Sequence, residues 1–524
     1  MAQIISDRSV PGFSQSEGGL LVPDSPLKSI ENQKRAVGGR IDFGSHFQHR
    51  YSLMPREGAT PVEQLDDCVK QLRNLTGRRG LSLSHAVQMT VFVPSEGYAD
   101  TVKQLEKHME DVYGGKENVP PISFVGQTPA DGRKSGMEAV VIEPKKGHEL
   151  MINPGIIGAD GIAAVGRPKA INEGEMERLL GMEEGSLKGV GEARYSVVIV
   201  GDEKWVYAAG LAGNPDSTNA GEKAWGALAK EMAILVREGI FERDAVVNTG
   251  LLNSHHTVHD IIGDNYNHLN VVRDEMYKRM GIYKYPSATG IGSFSSEGDV
   301  IIGMIGAKGV DYEPVVVVQH GEAHQYSMQF MKQQVVGKPV GGQVDATGVG
   351  KPVSVPKFNR ALYLPGHEVV LVSGTASVEK GKGLLYGPEA FEAESQANGG
   401  RGVQLDVTEI VDSVGMKRIR ERGLGVIAGA DNRVYFRAET AAEAQTIVTI
   451  RNMTRLLAAK GMSLNDLAHS RVYVADLDDS GRVMDLVGKI FGNNPTQCVE
   501  APVCYKGWLV EIEGIAGKNK SLIQ

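Results

Sequence analysis

The sequence predicts an α+β chain built from three tandem copies of one unit. Two observations carry this reading: a motif that recurs, and an order of elements that recurs around it. GLSLSHAVQMTVFV (Gly80 to Val93) aligns with GMSLNDLAHSRVYV (Gly461 to Val474); both open Gly–apolar–Ser–Leu and close on an alternating valine-and-aromatic strand. An amphipathic helix precedes each, TPVEQLDDCVKQLRNLTGRRG and TAAEAQTIVTIRNMTRLLAAKG, with Thr60 and Thr440 as expected N-caps. Sixteen residues before each glycine stands a glutamine, Gln64 and Gln445. In mid-chain, EKAWGALAKEMAILVREG ends at Gly239 and IFERDAVVNTGLL follows, which supplies the helix–Gly–strand order a third time.

A second amphipathic helix follows each strand: YADTVKQLEKHMEDVYGG, YNHLNVVRDEMYKRMG and SGRVMDLVGKIFG. Each copy then reaches a proline (Pro121, Pro286, Pro495) and a last strand, GMEAVVIE, DVIIGMIGA or WLVEIEGIA. Apolar stripes on these helices need a sheet to cover, so each copy is expected to fold as one helix-backed sheet. Upstream, ARYSVVIVGDEKWVYAAG and NRALYLPGHEVVLVSGTAS read as hairpins, and RIDFGSHFQHRYSL as a weaker one. The expected organisation is an arm over 1–38 and units over 39–150, 151–345 and 346–524. The last carries an insertion at about 379–439 that includes a helix in VTEIVDSVGMKRIRERG. EPKKGHELMINPG and the Gly/Pro-rich VGKPVGGQVDATGVGKPVSVP read as linkers.

Composition excludes several classes. The net charge of −8 argues against a phosphate-tracking nucleic-acid binder. No apolar run approaches the ~20 residues of a spanning helix, and MAQIISDRSV has no secretory pattern. Three cysteines, Cys68, Cys498 and Cys504, fit a reducing cytoplasm rather than a disulfide framework. The 65 glycines are dispersed, as many turns between short strands require. No GxSxG, P-loop or GxGxxG fingerprint is present, so no nucleotide cofactor is expected.

SGTAS at Ser373–Ser377, the Gln445…Asn452 helix, GMSLNDLAHSRVYV and CVEAPVCYKGWLVEIEGIA resemble the YjgF-like superfamily of reactive-intermediate deaminases, the Rid proteins. Asn270-Val-Val-Arg273, PSATGIG, FNRALYLPG and VSGTAS resemble the chorismatase family, two fused Rid-like domains that hydrolyse an enolpyruvyl ether without metal or cofactor. The resemblance implies three Rid-like (chorismate-mutase-like) domains forming an intrachain pseudo-trimer. It also implies a small carboxylated cyclic or enol-ether substrate in an interdomain cleft, no cofactor, and no nucleic-acid or membrane partner. Homo-oligomerisation stays open.

On that resemblance Glu511 is the catalytic carboxylate, which a partly desolvated cleft wall suits to proton transfer. Strand alternation puts Glu513 on the same face, so position alone does not separate the two. Counting from the proline sets Glu138 and Ile302 against Glu511, leaving the middle copy without an acid, and Arg133 and Lys134 suggest a solvated ion pair for Glu138. Arg273 and Arg360 match the family's anion-binding arginines, with Asn270, Ser373 and Thr375 beside them in the same motifs; Cys504 matches a cysteine that influences product. Thr496 stands where Rid deaminases carry an arginine, which weighs against the alternative of enamine or imine deamination. A non-catalytic binding or assembly protein is the third reading.

His255/His259 and His320/His324 have i, i+4 spacing, but HGEAH lacks the HExxH order and no metal is expected. His255 and His256 are read as following a strand near the cleft rim, where they would shuttle protons or bind substrate.

Overall fold

The computed structural model describes residues 13–15, 21–23, 37–130, 132–154, 165–263, 265–294, 300–319, 322–325, 358–379 and 383–523. Most of the expected arm, the second linker, His320 and the side chain of His324 lie outside the described residues. The chain is a mixed α+β protein with three large sheets of six, seven and six strands.

All three sheets share one wiring. A hairpin leads to a long helix, then to a strand that pairs in parallel, through a second helix, with a short strand. The parallel pairs are Ala86–Val93 with Ile122–Gly126, Leu251–His259 with Ser287–Ser293, and Leu467–Val474 with Thr496–Glu500. The closing strands, Gly136–Pro144, Val300–Lys308 and Val510–Gly517, insert antiparallel between hairpin and parallel pair. The register slips near the start of the post-helix strand in every copy, at Ala86/Gln88, Leu251/Asn253 and Leu467/His469. Such a repeated bulge re-aims the residues that follow it.

Local sequence explains the long helices. Thr60 and Thr440 each close a capping box with the glutamate three residues on, Glu63 and Glu443. The repeated glutamines also do one job. Gln64 Oε1 accepts from Lys134 N at 2.7 Å, and Gln445 Oε1 accepts from Leu509 N at 2.8 Å. Each ties its helix to the turn that launches a closing strand.

Apolar alternation then sorts the faces. Met89, Val91 and Val93 pack under the first helix pair, Ile302 and Met304 under the second, and Val472, Val474 and Ile512 under the third. The opposite faces meet one another. Val87, Val140, Val198, Tyr207, Leu371 and Ile515, from all three sheets, share one buried cluster. Phe92, Ile291, Ala376 and Tyr473 share a second.

Several expectations change. IFERDAVVNTG is not the middle strand; the strand starts at Leu251, so His255 and His256 lie within it rather than after it. The weak first hairpin is formed, by Gly38–Asp42 and His46–Leu53. Strand pairing also crosses the repeat boundaries: Glu313–Pro314 joins the third sheet and Lys520–Ile523 edges the first. The insertion contains a helix over Pro388–Ala397, two more helices broken at Gly415 and a small sheet of three strands.

Candidate active site

Register identifies which residues correspond. Arg471 pairs with Glu513, Thr90 with Glu138, and His255 with Gly303. Glu138 is therefore the counterpart of Glu513, not of Glu511. One step along, Tyr473 pairs with Glu511, Phe92 with Gly136, and Thr257 with Ile301. Counting from the proline was misled by unequal loop lengths before the closing strands. An acid stands at the Glu511 position in the third sheet alone.

Glu511 is 4% exposed, with its Oε1 directly over Gly374, where even a β-carbon would sit 1.8 Å away. Gly374 is thus required by close approach. Among the described residues no donor lies within hydrogen-bond distance of the carboxylate. Burial raises its pKa to about 8; the Arg360 charge opposes that shift and the Glu513 charge adds to it. Glu513 behaves oppositely. Burial pushes it up, but His255 and Arg471, with hydrogen bonds from Thr289 and Tyr473, outweigh that and hold it below the usual carboxylate range. Both acids do share a face, as alternation required. Their hydrogen bonding separates them: one is held as an anion, the other favours the neutral acid at pH 7.

Arg360 and Arg273 are buried, at 8% and 1% exposure, so neither is a surface ion-pairing residue. Their guanidinium carbons lie 5.4 and 5.9 Å from the Phe358 ring centre. Arg360 Nη1 donates to Gly374 O at 2.8 Å, which seats it against the strand Val369–Ala376 that pairs with the Glu511 strand. Arg273 comes from the helix Asn265–Arg279, and Asn270 one turn earlier accepts from its Nη2 at 2.7 Å. Cys504 is buried, donates to Gly290 O at 2.7 Å, and burial beside Glu511 holds its thiol protonated. Tyr266 and Tyr505 meet edge to face, with ring centres 6.2 Å apart, within the electrostatic reach of both arginines and Glu511. These groups give a neutral acid, two cations and aromatic walls at the seam between the second and third sheets.

Ser373 and Thr375 face the backbone. Ser373 Oγ donates to Asn359 O and accepts from Ala288 N at 2.9 Å, while Thr375 Oγ1 donates to Ser373 O. Both hold the strand that abuts the cleft. Thr289 lies in the PSATGIG motif but was not singled out there; its hydroxyl accepts from Gly374 N and donates to Glu513. It stands between the two acids.

A cavity of about 90 Å³ lies elsewhere, where the three sheets converge. Its lining repeats register positions: Gln88, Asn253 and His469, then Thr90, His255 and Arg471, then Glu138, Gly303 and Glu513. Glu138 is therefore not a solvated ion pair. It is 8% exposed and paired with Arg471, which also reaches Glu513 at 3.2 Å. His255 Nε2 meets Tyr473 OH at 2.8 Å, and burial lowers the pKa of its imidazole against the opposing pull of the Glu513 charge. Arg50 supplies a second cation, so two guanidiniums face two carboxylates and the fixed charges cancel. This cavity is a self-neutralised polar junction.

His255 and His259 occupy one strand, so i, i+4 places them roughly 13 Å apart rather than on one helix turn. Among the described residues no group of three or more His, Cys, Asp or Glu is placed to hold a metal ion.

Comparison with known proteins gives these motifs a family setting. Residues 425–518 match the family model Endoribonuclease L-PSP. The resemblance to YjgF-like proteins therefore holds for the C-terminal segment. A RutC family protein of Saccharolobus solfataricus is 37% identical over 79 residues, 15% of this chain and 63% of that protein. The chain thus spans less than two thirds of that relative's length. A chorismatase crystal structure aligns over 83% of this chain and 93% of its own, at 15% identity and TM-score 0.44. A YjgF family member from Mycobacterium tuberculosis aligns over 39% of this chain and 98% of its own, at 17% identity and TM-score 0.19. Glu511 and Cys504 fall inside the segment matched by the L-PSP family, and Arg273 and Arg360 fall outside it.

Proposed function

We propose that the chain is a chorismatase-like hydrolase or lyase acting on a small carboxylated cyclic or enol-ether substrate. In this reading three Rid-like units form an intrachain pseudo-trimer, and the seam between the second and third is the working cleft. The observation that carries it is Glu511: a buried carboxyl without a hydrogen-bond donor among the described residues, within reach of the Arg360 charge, at a position where the other two sheets have Gly136 and Ile301.

The chemistry follows from the protonation state. Arg273 and Arg360 bind substrate carboxylates, and Phe358, Tyr266 and Tyr505 exclude water around the ring. Neutral Glu511 gives its proton to the enol ether, generating an oxocarbenium ion. Water adds to that cation while the Glu511 carboxylate takes back a proton, and the resulting hemiketal collapses to pyruvate and the ring alcohol. No metal or cofactor enters these steps. Thr496, which bonds Ser470 at 2.9 Å, supplies no cation for an imine substrate and disfavours deamination.

Incubation with chorismate should release pyruvate. The acid-dependent rate should be level below about pH 8 and fall about tenfold per unit above it, because Glu511 must begin each cycle protonated. Absence of pyruvate from chorismate would sink the reading. Arg360→Ala is expected to weaken chorismate binding by about 1.5–3 kcal/mol, the scale of a lost charge-assisted hydrogen bond, as titration calorimetry would measure.

A further inference from the structure

We propose that Glu231 is a positioning residue for Arg273, acting through Ser254 and His256. The four side chains form one buried chain of hydrogen bonds behind the cleft. Glu231 lies on the helix Ala220–Arg237, Ser254 and His256 on the strand Leu251–His259, and Arg273 on the helix Asn265–Arg279. Ser254 Oγ donates to Glu231 Oε1 at 2.7 Å and meets His256 Nε2 at 2.9 Å. Arg273 Nη1 meets His256 Nδ1 at 3.2 Å. Glu231 and His256 are wholly buried.

Donor logic fixes the direction of every proton. A guanidinium can only donate, so His256 Nδ1 must accept, and the imidazole is neutral with its hydrogen on Nε2. That Nε2–H donates to Ser254 Oγ, and the serine spends its own hydrogen on Glu231. The chain therefore runs one way, from Arg273 to the carboxylate. Without an acceptor at Glu231, Ser254 can turn its hydroxyl toward His256 Nε2. The imidazole hydrogen would then move to Nδ1 and oppose the Arg273 donor.

Burial of Glu231 is hard to explain by stability alone. Its Oε2 has no hydrogen-bond partner, and neither does Arg273 Nε. Buried polar atoms without partners cost folding free energy. Asn270 and His256 together clamp two nitrogens of Arg273, which sets the plane of the guanidinium and leaves Nε and the second hydrogens of Nη1 and Nη2 for an anion.

Nitrogen-15 NMR of histidine-labelled full-length protein tests the relay without substrate. Wild-type His256 should give the neutral Nε2–H pattern; Glu231→Met, which removes the acceptor, should shift it toward Nδ1–H, while Glu231→Gln, whose amide oxygen still accepts from Ser254, should keep it. In chorismate turnover Glu231→Met should raise KM about tenfold, the cost of one misplaced charge-assisted hydrogen bond, with kcat within about threefold. This kinetic arm rests on the reading of Arg273 as an anion-binding residue; the tautomer arm does not. A charged or Nδ1–H wild-type His256, or a tautomer unchanged in Glu231→Met, overturns the relay. A changed tautomer with unchanged KM overturns the claim that it positions Arg273. Absence of wild-type turnover defeats the chorismatase-like reading alone, and the tautomer still decides the relay.

Discussion

Glu511→Gln is expected to cut chorismate turnover by about 10² or more while affinity changes only within a few-fold, the signature of a lost general acid and base. The amide keeps the carboxyl's size, and Glu511 has no donor among the described residues to lose, so the local packing has little reason to move. The same substitution should stabilise the protein at alkaline pH. A carboxyl raised from its ordinary value to about 8 in the folded state makes folding less favourable as pH rises from the ordinary value through 8, because the folded chain must then bury an anion. Glutamine does not titrate and escapes that loss. The variant's advantage in melting temperature should therefore be larger at pH 9 than at pH 6, and should vanish only as pH falls to the ordinary carboxylate value. A variant that keeps its turnover would remove Glu511 from the chemistry. One that loses turnover together with stability at both pH values would assign it a packing role.

The sequence carried the repeat, the helices and their caps because each rests on local chemistry. A Thr-x-x-Glu box at Thr60 and Thr440 and a 3.6-residue apolar stripe need no knowledge of the rest of the fold. Glu511 was singled out through its motif, and its burial could not be read from the chain pattern. Glu138 was misassigned because counting from a proline assumes equal loops, whereas strand register sets which residues correspond. The solvated reading of Glu138 failed for a related reason: its partner, Arg471, is 333 positions away in sequence. His255 and His256 were placed after the strand because IFERDAVVNTGLL was itself read as that strand. The strand is held by Val300–Lys308 on one side and Ser287–Ser293 on the other, neither visible in local composition. Long-range ion pairs and tautomer chains leave no periodic trace, so Arg471 and Glu231 went unnoticed.

Arg471→Met is expected to cost about 3–5 kcal/mol of stability in urea unfolding at pH 7.5, the scale for removing one partner of a buried pair. Arg471 reaches Glu138 from the first sheet and Glu513 on its own, donates to Tyr473 OH at 3.0 Å, and bonds His255 of the second sheet at 3.1 Å. Methionine keeps much of the apolar stem, so the loss reports the charge rather than a cavity. The pH dependence gives the sharper test. In the wild type, burial alone would raise the Glu138 pKa, but Arg471 and His469 overcome it and hold the carboxyl well below its ordinary value. That contribution is present above the ordinary carboxylate pKa and is lost as pH falls through the folded value. With Arg471 gone, burial prevails, Glu138 titrates upward, and the variant should gain stability as pH falls from 8 to 5, where the wild type gains none from this group. Adding Glu138→Gln to Arg471→Met should recover part of the loss, because it removes the carboxylate left unpaired. A single variant that loses under about 1 kcal/mol, the range of an exposed pair, would mean that water rather than Arg471 balances the acids at the junction.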